Sequence, residues 1–148
     1  MVNINERIKE YGYINFKCLV EDWSEYLLDD KTIIRTRVVP MAFKKKTDKI
    51  YKIKSVLELV SFCPLELIGP PSEIPIPVED TEVIKTLDKI DMKFETLKEP
   101  WNEYELEDDT RVFLKTVATS ISRSKLYDRE GETVYRVERQ VLTKRYPP

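Results

Sequence analysis

The sequence predicts an α+β protein, mainly antiparallel β, in which two helix-plus-β-hairpin units pack about a pseudo-two-fold axis as a barrel or sandwich-like domain. Residues 16–39 align with residues 94–117 without a gap at an offset of 78, and ten of the 24 positions are identical, among them Trp23/Trp101, Tyr26/Tyr104 and Asp30/Asp108. Self-similarity of this kind reads as an internal duplication and sets the architecture as two copies of one unit. In each copy a short helical period is followed by strand-like alternation. One unit of about 60 residues buries little core and leaves sheet edges open, so both units are expected to share one domain.

Each unit opens with an expected amphipathic helix. Ile4, Ile8 and Tyr11 stand at helical spacing before Gly12, and Val83, Leu87 and Ile90 repeat the i, i+4, i+7 template. Asn3 is the expected cap of the first helix and Asp80 or Thr81 that of the second, since short polar side chains accept first-turn amide hydrogens. A strand follows over Ile14 to Val20 and over Met92 to Lys98. The block Trp-x-Glu-Tyr-x-Leu-x-Asp-x-Thr then reads as a short strand entering a tight turn, because Asp side chains bond their own backbone two residues on. Long strands leave at Thr32 to Phe43 and at Thr110 to Ile121.

Downstream the offset becomes 84, where Tyr51 aligns with Tyr135 and Pro64 with Pro148. The offset thus grows by six residues, an insertion read at the second copy's connection, where Tyr127 to Glu132 replaces the shorter Lys46-Thr47-Asp48-Lys49. Exposed hairpin tips absorb insertions that core strands cannot. The chain divides into a first unit (1–63), a proline-rich strap (64–78) and a second unit (79–148). Prolines at 64, 70, 71, 75 and 77 favour an extended strap, and its Leu and Ile residues argue that it lies on the fold.

Composition narrows the chemistry. The chain has no histidine and only two cysteines, Cys18 and Cys63, which removes the usual ligands of zinc and haem and any Cys/His nucleophile pair. Buried free thiols are expected. The three glycines stand alone, so no phosphate loop is available. The acidic residues around Glu103 to Asp109 lack the glycine and ligand ladder of a calcium loop and read as a solvated strand face with turn caps. No catalytic residue, metal or cofactor is expected. One glutamine, four asparagines and abundant Lys and Glu suit a thermophilic source. No apolar run reaches membrane-helix length, and Met1 to Glu10 lacks a signal-peptide pattern, so a cytoplasmic location is expected.

Two surfaces carry the functional expectations. Trp23, Tyr26, Trp101 and Tyr104, kept in both copies, read as structural core anchors. The basic set Arg35, Arg37, Lys44, Lys45, Lys46, Lys49, Lys52 and Lys54 contains two hairpin strands whose alternate positions are cationic, and Phe43 and Tyr51 would add stacking surfaces. Arg35, Arg37, Lys45, Lys52 and Lys54 are the candidate polyanion-binding residues. The aligned positions in the second copy include Phe113 and Glu138, which break the stripe. Residues 1–64 carry 12 basic and 9 acidic side chains and residues 65–148 carry 13 and 18, a charge split that suits head-to-tail contacts. The leading expectation is a non-enzymatic module that binds a protein partner or itself, as an accessory subunit or homo-oligomer. The alternative is a small nucleic-acid-binding protein using the first unit's basic hairpin.

Overall fold

The computed structural model describes residues 1–47, 51–77 and 79–148. Asp48 and Lys49 of the expected first connection, and Val78 at the end of the strap, lie outside them. The chain runs α1 (Ile4–Glu10), β1 (Tyr13–Ile14), β2 (Phe16–Val20), β3 (Ser24–Leu28), β4 (Ile33–Lys45), β5 (Tyr51–Phe62), a 3₁₀ turn (Leu65–Leu67), α2 (Asp80–Ile84), β6 (Leu87–Lys89), β7 (Phe94–Lys98), β8 (Asn102–Leu106), β9 (Arg111–Tyr127) and β10 (Thr133–Tyr146). Among the described residues these strands form two five-stranded antiparallel sheets.

The molecule is β-rich, and α+β describes it only loosely. α1 has seven residues and α2 five, and neither buries a side chain. Asn3 does cap α1, accepting from the Glu6 amide at 3.3 Å. α2 departs from expectation: its N-cap is Glu79, Asp80 instead grips the Arg136 guanidinium at 2.7 and 2.8 Å, and the helix stops at Ile84. Thr86 ends it by donating to the Val83 carbonyl at 2.6 Å and bonding the Ser124 hydroxyl at 2.7 Å, and Leu87 joins β6 opposite Ser124 on β9. Edge pairing with a long strand thus outcompetes three residues of weak helical period.

The central topological fact is an exchange. The expected strand Ile14 to Val20 breaks at Asn15, so that β1 pairs with β4 in one sheet while β2 pairs with β8 in the other. In return β7 leaves the second half of the chain to pair with β3 of the first. The registers correspond at the offset of 78: Phe16 faces Leu106 as Phe94 faces Leu28, Cys18 faces Tyr104 as Thr96 faces Tyr26, and Val20 faces Glu103 as Lys98 faces Glu25. The β3–β4 and β8–β9 pairs match likewise, Tyr26 with Ile34 and Tyr104 with Val112. Both turns place a residue in the left-handed region, Lys31 (φ 71°) and Asp109 (φ 67°), and both are closed by an aspartate accepting from the threonine amide two residues on, at 2.9 Å for Asp30 and 3.1 Å for Asp108.

Two apolar clusters result, and each draws on both halves. Tyr26, Leu28 and Ile34 pack with Met92, Ala118, Ile121 and Tyr135, while Tyr104, Leu106, Val112 and Leu114 pack with Val38 and Phe43. The two tyrosine hydroxyls lock the crossover: Tyr26 donates to Glu99 at 2.6 Å and accepts from the buried Ala118 amide at 2.8 Å, and Tyr104 donates to Glu21 at 2.8 Å. Burial, reinforced by the neighbouring carboxylate, pushes both phenols far above their ordinary range, so both stay protonated donors.

A buried polar node ties the first turn to the second hairpin. Tyr135 donates to Asp30 at 2.6 Å and touches the Thr32 hydroxyl at 2.7 Å, and Arg123 stands 3.3 Å from the same carboxylate, whose side chain is 5% exposed. Burial and its bond to Asp30 push Tyr135 up to about 12. The strap docks on the tip of the second hairpin, with the Gly69 amide donating to the Gly131 carbonyl at 2.8 Å and the Ser72 amide to the Asp128 carbonyl at 2.9 Å. A side chain at Gly69 would run into the Tyr127 ring.

Two predictions follow from this packing. Tyr26→Phe leaves the buried Ala118 amide and the Glu99 carboxylate short of a partner, whereas Tyr104→Phe deprives only Glu21; denaturant unfolding is expected to show a loss of about 2 kcal/mol for the first and about 1 kcal/mol for the second. Asp30 is the second case. Burial alone would raise its pKa, but the bonds from Tyr135 and Thr32 and the charge of Arg123 outweigh burial and hold it below the ordinary value. A carboxylate depressed on folding stabilises fully above its unfolded pKa of about 3.9 and loses that contribution as pH falls through the folded value. The stability deficit of Asp30→Asn relative to wild type is therefore expected to be largest at neutral pH and to shrink below about pH 4; a deficit independent of pH would contradict it.

Candidate interaction surfaces

The four cationic positions of the expected stripe do share one face of the β4–β5 hairpin, but its register separates them into two environments. Lys52 faces Lys44 and Lys54 faces Ala42 near the tip, whereas Arg35 faces Val60 and Arg37 faces Glu58 at the far end. The arginines are engaged by carboxylates. Arg35 meets Glu25 at 3.2 Å and lies over the Phe62 ring at 5.2 Å, and Arg37 meets Glu58 at 2.8 Å and Glu21 at 3.5 Å.

Near the tip the lysines gather around an aromatic ring. The Lys44 and Lys54 ammonium groups lie 5.2 and 5.0 Å from the centroid of Tyr13, which β1 holds opposite Lys44. A hydrogen bond with Lys54, together with the charges of Lys54, Lys44 and Lys52, outweighs desolvation and lowers the Tyr13 pKa. Lys45 points elsewhere, onto an open depression that it lines with Lys9, Glu107 and Asp108. Phe43 is fully buried and supplies no stacking surface. Lys49 and the side chain of Tyr51 lie outside the described residues.

The repeated aromatic block divides. Tyr26 and Tyr104 are core residues with no exposure. Trp23 and Trp101 are not part of either core cluster: they are half-buried, Trp23 under the Arg37 guanidinium at 4.2 Å and Trp101 under Lys115 and Lys144 at 4.8 and 4.3 Å. A cation on the ring face stabilises a half-exposed indole without further burial. Cys18 is also corrected. It is exposed rather than buried, because β2 is an edge strand whose positions after Phe16 project past the core; Cys63 is half-buried. Both are free thiols.

A second surface was not anticipated. β5 pairs with β4 alone among the described residues, so it is a sheet edge 12 residues long. Its outer half exposes Val56 (49%), Leu57 (49%), Leu59 (39%), Val60 (39%) and Phe62 (48%), and alternation places Leu57 and Leu59 on one face and Val56, Val60 and Phe62 on the other. Residues 55–62 hold one charged residue, Glu58; the aligned segment of β10, 139–146, holds Arg139, Lys144 and Arg145. Charged side chains blunt a sheet edge against pairing, and the outer half of β5 has only Glu58 for that protection. The contrast between the two aligned segments was the available sequence signal.

Among the described residues no group of three or more Cys, Asp and Glu side chains is arranged to hold a metal ion, and no helix is long and apolar enough to cross a membrane. No protein-family model, no curated protein and no solved structure matches this chain.

The Tyr13 cluster is testable by titration. Replacing Lys54 by Met removes the hydrogen bond and one positive charge, so ultraviolet difference titration is expected to show one phenol ionising at higher pH than in wild type. An unaltered titration would contradict the assignment.

Proposed function

We propose that this chain is a non-enzymatic module that binds protein, with the free edge of β5 as its contact. The observation that carries this reading is the combination of an unpaired strand edge with apolar side chains exposed on both of its faces. An added strand would satisfy the alternate amides and carbonyls of β5 and cover Val56, Leu57, Leu59, Val60 and Phe62, the mode by which extended segments augment sheets. An accessory role in a larger assembly, or self-association, follows from the same edge, and a cytoplasmic setting accords with two free thiols.

The two halves are read here as copies of one unit related by an approximate dyad. Matching registers in the two sheets and the paired Tyr26–Glu99 and Tyr104–Glu21 bonds support this reading. On it, the two copies have diverged at one element: β10 kept a charged edge and β5 an apolar one. The sandwich-like arrangement suits two separate sheets better than a closed barrel.

A second reading rests on the lysines around Tyr13. Lys44, Lys52 and Lys54, grouped at an aromatic ring, offer a small site for a polyanion such as nucleic acid. Such binding would fall steeply with salt and be lost in Lys52→Glu/Lys54→Glu.

The protein-binding reading is tested by affinity capture from the native host with wild type and with Leu57→Lys/Val60→Lys, followed by hydrogen exchange on the captured complex. A protein retained only by wild type, with slowed exchange confined to β5, is the expected result. Equal retention by both, or protection elsewhere, would overturn it.

A further inference from the structure

We propose that the occupant of the β5 edge is a second copy of this chain, paired antiparallel through its own β5 with Val56 opposite Val56 on a two-fold axis. This rests on the reading of β5 as the binding edge and specifies its partner. Even-numbered residues of β5 share the face that carries Lys52, Lys54, Val56, Glu58 and Val60, because they stand opposite the outward residues of β4. An isologous antiparallel pair must place residue i against residue j and j against i. With Val56 on the axis, Lys54 of each copy faces Glu58 of the other, so two opposite-charge pairs form, while Lys52 faces Val60, Ile53 faces Leu59 and Ser55 faces Leu57.

Centring on Leu57 would set Glu58 against Val56 and lose both pairs, centring on Glu58 would set two carboxylates against each other, which is unfavourable, and centring on Ser55 would set Lys52 rather than Lys54 against Glu58. The paired span, residues 52–60, falls entirely within described β5. Within one chain Lys54 lies over Tyr13 and Glu58 accepts from Arg37 at 2.8 Å, so pairing exchanges these contacts for Lys54–Glu58 pairs across the axis. A net charge of −2 offers little repulsion between copies.

Strand pairing of this length gives an interface at the small end of the stable range, so dissociation in roughly the micromolar range is expected. Sedimentation equilibrium of the full chain from low micromolar to submillimolar concentration is the test, with Lys54→Glu, Glu58→Lys and the double exchange compared with wild type. Each single substitution acts twice across the axis and is expected to weaken the dimer about tenfold, and the double exchange to restore it to within about threefold. Hydrogen exchange on wild type, dilute against concentrated, gives a readout independent of any variant: protection is expected to grow with concentration at residues 52–60. A monomer at every concentration, a dimer indifferent to the single substitutions, or protection outside β5 would overturn the inference. In that event a different captured protein that shields β5 would leave the broader reading standing, whereas an edge shielded by nothing would remove both.

Discussion

The fold depends on two bonds, each from a buried phenol to a partly exposed carboxylate, that cross between the halves of the chain. Tyr26 sits in a hairpin of the first half and reaches Glu99, and Tyr104 sits in a hairpin of the second half and reaches Glu21. Each glutamate directly follows or closely trails the exchanged strand, β2 or β7, so the bond fixes where that strand lies on the opposite sheet. Because a buried hydroxyl without a partner is costly, each tyrosine demands the presence of the other half. The two cores inherit that demand: neither can be assembled from a contiguous stretch of sequence.

Much of this was legible in the sequence, and the gaps have physical causes. The sequence offset of 78 has a counterpart in the strand registers, and the offset of 84 in the pairing of Val39 with Val56 and of Val117 with Gln140. The Asp-x-Thr turns stand where side-chain chemistry demanded them. Residue patterns report which face of a strand is apolar but not which strand lies beside it, so the exchange of β2 and β7 could not be read. The same limit explains Cys18, expected to be a buried free thiol although its strand outruns the core. The second helix failed for another reason: a three-point helical period over Val83 to Ile90 is weaker than the strand pairing that captures Leu87 and Lys89.

The candidate surfaces divide similarly. The basic residues were found by counting charges, but their pairing with Glu21, Glu25 and Glu58 depends on cross-strand neighbours and on the exchanged segment that brings Glu21 to Arg37. The β5 edge escaped notice because an apolar alternating strand ordinarily reads as buried. Its meaning emerges only beside β10, which occupies the corresponding place in the other sheet and holds Arg139, Lys144 and Arg145 where β5 holds Ser55, Val60 and Ser61. The outer half of β10 is the more charged and that of β5 the more apolar, and the proposed self-pairing of β5 would satisfy its backbone groups while matching lysine to glutamate.

Reciprocal exchange of strands between halves is the claim on which the rest stands, and it is tested by expressing residues 1–63 and 79–148 separately and recording amide correlation spectra of each and of their mixture. The account requires that neither segment give a folded monomer, since each lacks half of both cores. A dispersed spectrum from either segment alone, at the size of a monomer, would contradict it.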